Sequence, residues 1–365
     1  MMGGFLIMER LNDVAAIERL DSQGMFRATY RMPDHIRDAM SLLDDVDISN
    51  QMMDIQNVVI TGMGGSAIGG NLLRVYSLDR VSIPVIVSRS YTLPFFVSEK
   101  TLVIVSSYSG NTEETLSAYE TAKRRKAKII SICTGGKLKE FSLRDGYPVI
   151  TIREGLSPRA AIAYSFIPLV MLFGKMGLLS DLRDEMEESI ELLEKIREEY
   201  KPEIPFEDNL AKKLAYRLYG KLPVFYGSTG ITEVIAERWK GQISENSKAP
   251  AYFNFFPELN HNEIVGTDYP RELLKQFEII MLKDMEDHPR NRMRMEITKN
   301  LLKEVVSGVS EIESRGKSRM ARMFSLIMLG DYISEYLAVL YGVDPTPVAK
   351  INLLKDELSK LREGF

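Results

Sequence analysis

Between Gln56 and about Ile152 the chain alternates short Val- and Ile-rich runs with amphipathic, helix-like stretches. The runs are Val58–Thr61, Val81–Val87, Thr101–Ser106, Lys128–Cys133 and Val149–Ile152. Such alternation predicts a mostly parallel sheet with helices on both faces, because continuous apolar strands are buried on both sides. Ligands of such sheets sit at the carboxyl ends of the strands. Two polar turns fall there, Gly62-Met63-Gly64-Gly65-Ser66 and Ser106-Ser107-Tyr108-Ser109-Gly110-Asn111-Thr112. After Lys201-Pro202-Glu203-Ile204-Pro205 the pattern restarts. Strands are expected at Leu222–Tyr226, Phe277–Leu282 and Val305–Ile312, with helices at Glu233–Lys248, Arg290–Glu304 and Ser318–Tyr341. The halves read as remote copies of one unit: Gly62–Ser66 corresponds to Gly227–Gly230, but the second half lacks the hydroxyl-rich turn.

That turn is the most informative stretch for function. Ser107, Ser109 and Thr112 supply three hydroxyls, and the helix expected from Glu113 supplies unpaired backbone N–H groups and the positive end of its dipole. A phosphate can be held there by directed hydrogen bonds, without lysine, arginine or a metal. The plainer reading is a turn and a helix cap, for which these residue types are favoured anyway. The glycine turn narrows the choice, since glycine lets the backbone approach a ligand and Ser66 adds a hydroxyl at a helix start. Gly62, Gly64 and Ala67 also satisfy a dinucleotide-type G-x-G-x-x-A pattern. The next strand ends in Ser88-Arg89 rather than an acidic residue, so only a 2′-phosphorylated dinucleotide would suit it, and the Ser107–Thr112 turn would go unexplained. No Gly-Lys-Ser/Thr of a Walker A loop follows these glycines.

At 365 residues two domains are the ordinary expectation. Lys and Arg number 47 against 51 Asp and Glu, a net charge of −4 that argues against nucleic acid as a partner. Cys133 is the single cysteine, which excludes an internal disulfide and fits a reducing, cytoplasmic location. Glu9 and Arg10 interrupt the apolar patch Phe5–Met8, so no secretory signal is expected. The apolar run Ala160–Gly174 contains Pro168, is too short for a membrane span, and reads as a buried helix. His35, His261 and His288 lack metal-ligand spacing, so no zinc site is expected, and carboxylates are the only ligands left for a metal.

Three further residues stand out. Glu245 lies near the end of a helix, where the dipole opposes a carboxylate and favours a proton acceptor. His261, in Asn260-His261-Asn262-Glu263, is a loop imidazole able to shuttle protons. Arg159, before the buried apolar helix, is either a solvated helix-start residue or a cation placed to stabilise a developing oxyanion.

Taken together, Gly-Met-Gly-Gly-Ser66, Ser107–Thr115, Thr134-Gly-Gly-Lys-Leu138, Ser157-Pro-Arg159-Ala-Ala, Ser244-Glu-Asn-Ser-Lys248 and Asn260–Glu263 form a recognisable series. With Gly342-Val-Asp-Pro-Thr-Pro347 and Ile351–Lys355, the chain resembles the archaeal bifunctional phosphoglucose/phosphomannose isomerase family. The resemblance implies an α/β fold of two sugar isomerase (SIS) domains, each a mostly parallel sheet in a three-layer sandwich. The expected divisions are an N-terminal helical segment at 1–52, the first SIS domain at 53–155 and a helical connection at 156–205. The second SIS domain is expected at 206–341, and a segment at 342–365 returns to the active site. By resemblance, Ser66, Ser107, Ser109 and Thr112 hold the substrate phosphate, with the Gly64 and Gly65 backbone close to the substrate. Arg159 steadies the enediolate, Glu245 transfers the proton, and His261 and Lys355 assist ring opening. The family histidine reaches the site from the neighbouring subunit, which implies a homodimer.

The chemistry of these residue types agrees. Interconverting an aldose and a ketose moves one proton between C2 and C1, so one carboxylate suffices on one face of a cis-enediol, beside a cation that offsets the charge on oxygen. No cofactor and no metal are called for, and the implied reaction joins glucose 6-phosphate, mannose 6-phosphate and fructose 6-phosphate. One departure concerns mannose: relatives carry a threonine seven residues before the lysine, and here Val348 stands there, with Thr346 two residues earlier. A non-catalytic sugar-phosphate sensor and an isomerase of another sugar phosphate are the alternatives. Against them stand the missing basic DNA-binding segment and the missing amidotransferase domain.

Overall fold

The structure, a computed structural model, describes residues 8–51 and 54–360. After helical residues at 8–12, the described chain forms three short helices: α1 (Val14–Leu20), α2 (Met25–Tyr30) and α3 (Met32–Ala39). The third of these ends at Ala39, where i→i+3 turns take over and Ser41 Oγ donates to the Asp38 carbonyl.

The first unit follows as β1 (Asn57–Thr61), α4 (Gly64–Tyr76), β2 (Val85–Ser88), β3 (Thr101–Ser106), α5 (Glu113–Arg124), β4 (Lys128–Cys133), α6 (Gly136–Arg144) and β5 (Val149–Thr151). Its sheet is parallel throughout, ordered β2-β1-β3-β4-β5, with Val58 opposite Val85 on one side and Leu102 on the other. Every residue of β3, the central strand, is buried. β2 begins later than expected because Pro84 has no N–H to donate to a ladder, although its carbonyl still accepts from Val58 N.

Two helices, α7 (Ile162–Lys175) and α8 (Leu182–Tyr200), join the units. The second unit comprises α9 (Leu210–Leu218), β6 (Leu222–Ser228), α10 (Ile231–Asn246), β7 (Tyr252–Phe256), α11 (Arg271–Leu274), β8 (Phe277–Lys283), α12 (Pro289–Leu302), β9 (Gly308–Glu313) and α13 (Arg319–Tyr341). Its sheet is also parallel and ordered β7-β6-β8-β9, so the first four strands of both sheets share one topology. β7 was not expected: Tyr252-Phe253-Asn254-Phe255-Phe256 follows Pro250 and forms an edge strand whose first two residues are exposed. β9 starts at Gly308 instead of Val305, because Val305 and Val306 bond back to the Leu302 carbonyl.

α13 is the spine of the molecule. By length and composition it could cross a membrane, yet Met320–Leu340 are all buried among α8, α9 and α10. Gly330 admits Trp239 of α10, whose indole N–H donates to the Leu326 carbonyl at 2.9 Å; a Cβ on residue 330 would lie 2.1 Å from that nitrogen. α4 packs against both α7 and α10, and so spans the seam between the units. The N-terminal helices are part of the same body, α3 lying on α7 and α8 and α2 on α13.

Candidate active site

At the carboxyl ends of β1 and β3 the two polar turns lie side by side. Gly62 sits so close to the end of β3 that a Cβ there would be 2.9 Å from the Ser106 carbonyl oxygen. In the hydroxyl-rich turn, Ser107 Oγ donates to Thr112 Oγ1 at 2.9 Å and accepts from Gly110 N at 3.1 Å, while Ser109 Oγ accepts from Asn111 N at 3.2 Å. The turn needs glycine at 110, where φ is +68° and a Cβ would lie 1.8 Å from the Gly135 carbonyl oxygen. Thr112 is the N-cap of α5 and makes no side-chain cap bond, so the first N–H groups of that helix stay available to an anion. Ser66 and Ser107 are buried, Thr112 is half-buried and Ser109 is exposed.

Next to these turns is a cleft of about 170 Å³ between α4 and α10, lined by Gly64, Gly65, Arg89, Arg159, Lys240 and Glu245 among others. Gly65 lets the Ser157–Arg159 loop touch the start of α4, since a Cβ there would be 2.7 Å from the Pro158 carbonyl oxygen. The loop delivers Arg159, which is only 4% exposed and therefore not a solvated helix-start residue. Its Nη1 lies 3.4 Å from Glu245 Oε2 in the last turn of α10. Nη2 donates to the carbonyls of Pro345 and Thr346 at 2.7 and 2.8 Å, and Nε to Asn246 Oδ1 at 2.5 Å. Burial pushes the guanidinium below its ordinary range, and the Glu245 carboxylate opposes that push.

Gly64, Gly65, Arg159 and Glu245 thus meet in one cleft, and Ser66, Ser107, Ser109 and Thr112 belong to the neighbouring pair of turns. His261 and Lys355 do not join them within this chain. His261 is exposed at the end of a 3₁₀ turn, Glu258–His261. Lys355 lies on α14 (Ala349–Lys360), every residue of which is exposed. Val348 caps that helix, its carbonyl accepting from Ile351 N and Asn352 N, whereas Thr346 is the residue bonded to Arg159.

Several residues of the site were not singled out from sequence. Glu237 pairs with Arg89, accepts from Asn71 Nδ2 of α4 at 3.2 Å, and so ties the units together at the cleft. Glu237, Gly241 and Glu245 recur every four residues and share one face of α10, the signal that could have marked them. Arg238, Gln242 and Asn246 have the same spacing one position on and face α13. There Arg238 Nη2 reaches both Asp331 oxygens at 2.8 and 2.6 Å, and Gln242 Nε2 donates to Asp331 Oδ1 at 2.8 Å. Among the described residues no three His, Cys, Asp or Glu side chains gather as a metal site would require.

In the second unit the equivalent turn, after β8, is Asp284–His288. Its own side chains fill it: Asp287 Oδ2 accepts from Asp284 N at 2.7 Å, and Asp284 Oδ2 accepts from Arg322 Nε and Ser314 Oγ at 2.9 and 2.5 Å.

Two family models match the chain: the SIS domain over residues 51–142, and the bacterial phospho-glucose isomerase C-terminal SIS domain over residues 207–358. The bifunctional phosphoglucose/phosphomannose isomerase of Caldicellulosiruptor bescii is 61% identical over 339 residues, covering 93% of this chain and all of that protein. The enzyme of the same name from Aquifex aeolicus is 40% identical over 315 residues, covering 86% of this chain and 94% of its own. A solved structure of a hypothetical protein from Thermus thermophilus superposes with a TM-score of 0.73 at 17% identity, covering 96% of this chain and 94% of that one, which speaks for the fold alone. The chain belongs to the bifunctional phosphoglucose/phosphomannose isomerase family and is built from two SIS domains.

Proposed function

We propose that this protein is an aldose–ketose isomerase that interconverts glucose 6-phosphate and mannose 6-phosphate with fructose 6-phosphate, without metal or cofactor. The observation that carries the reading is the meeting of a buried guanidinium and a carboxylate, Arg159 and Glu245, 3.4 Å apart in a cleft floored by Gly64 and Gly65. The phosphate sits on Ser66, Ser107, Ser109, Thr112 and the open N–H groups of α5. Glu245 takes the proton from C2 or C1 and returns it to the other carbon, and Arg159 offsets the negative charge that grows on the enediolate oxygen.

Ring opening falls to His261, supplied by the second subunit of a homodimer, and to Lys355. The exposure of His261 in its own chain supports the dimer, as do the exposed apolar groups Ile351, Leu353, Leu354 and Leu358 on α14, a helix that buries none of its residues. Such a face is suited to covering a second copy. The test is Glu245→Gln, which keeps the shape and the hydrogen-bonding oxygen: sugar-phosphate binding stays, while turnover falls by at least about a thousandfold. Turnover near the wild-type rate would remove Glu245 as the base.

A further inference from the structure

We infer that Asn246 is a positioning residue that aims the Arg159 guanidinium at the reacting oxygens while leaving its charge unspent. The inference rests on the isomerase reading above and extends it to the groups behind the site. Arginine has five N–H donors. Three of those on Arg159 go to neutral acceptors: Nε to Asn246 Oδ1, and Nη2 to the Pro345 and Thr346 carbonyls. The Nη1 edge is left pointing at Glu245 and the cleft. Because none of the three acceptors is charged, they orient the guanidinium without neutralising it.

The Asn246 amide is itself held in one orientation. Its Nδ2 donates to Ser334 Oγ at 2.9 Å, and that hydroxyl spends its own proton on the Asp331 carbonyl at 2.7 Å. Ser334 Oγ can therefore only accept, so the amide nitrogen must face α13 and the amide oxygen must face Arg159. Ser247 Oγ adds a bond to the Ser334 carbonyl at 2.7 Å. Asn246 and Ser334 are completely buried, so water cannot substitute for either partner. A carboxylate at position 246 would have the same shape and accept the same hydrogen bond, but it would pair with Arg159 and draw its positive charge away from the enediolate.

Asn246→Asp separates these effects. With fructose 6-phosphate as substrate at pH 7.5, kcat should fall about tenfold to a hundredfold while KM stays within about threefold, since the phosphate turns lie on the other unit. Ser334→Ala adds no charge and only loosens the amide, and its kcat should fall about threefold to tenfold with KM unchanged. It serves as the deciding variant if Asn246→Asp does not fold. Folded variants with kcat within twofold of wild type, or with a raised KM and an unchanged kcat, would overturn the inference. Loss of turnover in Glu245→Gln with full turnover in both of these variants would sink this inference alone. A wild-type protein without isomerase turnover would bring down the underlying reading and this inference with it.

Discussion

Replacing Asp287 with asparagine should stabilise the protein at neutral pH and have almost no effect near pH 4. Asp287 lies in the turn after β8 that corresponds to the hydroxyl-rich turn of the first unit, and it is 9% exposed. Burial raises its carboxyl from 3.8 to about 6, helped by the neighbouring Asp284 charge and opposed by the Asp284 N–H, Arg292 and Ser228. The folded state therefore holds this proton more tightly than the unfolded chain does. Against a neutral side chain, the carboxyl costs folding nothing below pH 3.8, an increasing amount as the pH climbs toward 6, and a constant deficit above. At about 1.4 kcal/mol per tenfold change the deficit is at most about 3 kcal/mol. Asparagine keeps an oxygen for the Asp284 N–H but brings an amide that must find its own partner, so a net gain of roughly 1–2 kcal/mol is expected. Urea unfolding of both proteins between pH 4 and pH 8 reads the difference directly. A gain that appears between pH 4 and 6 and then levels off fits the argument. A difference independent of pH, or a loss at every pH, would refute it.

Two other substitutions probe the site and its support. Ser107→Ala removes a hydroxyl that bonds both Thr112 and Gly110, so KM for fructose 6-phosphate should rise about tenfold or more while kcat changes little, as steady-state kinetics would show. Arg238→Met leaves Asp331 buried and deprived of its cation, which should cost about 3–5 kcal/mol and lower the melting temperature in calorimetry.

Much of the architecture can be read from the chain because parallel strands buried on both faces have little choice of composition. Val58–Thr61, Thr101–Ser106 and Lys128–Cys133 match the observed strands to within a residue. The edge strand β7 escapes the same reasoning: its first two residues are exposed, and its neighbours look like a loop. The two polar turns were legible because serine, threonine and glycine at a strand–helix joint have a specific physical use. The network behind Arg159 was not. Arg238, Gln242 and Asn246 lie in a helix rich in charged residues, and only packing against Asp331 and Ser334 of α13 shows that this face is buried. Arg159 itself was undecided from sequence, because a helix-start arginine is solvated or buried according to what closes over it. Here Pro345 and Thr346 close over it, from a segment almost two hundred residues away in the chain.

The central claim is tested most directly by incubating the protein with fructose 6-phosphate in the presence of EDTA and resolving glucose 6-phosphate and mannose 6-phosphate as separate products. Both products should form, with turnover undiminished by the chelator. Glucose 6-phosphate alone would contradict the dual activity and point to Val348 as the obstacle to rotation about C2–C3. Binding of the sugar phosphate with neither product would contradict the isomerase reading itself and leave a sensor.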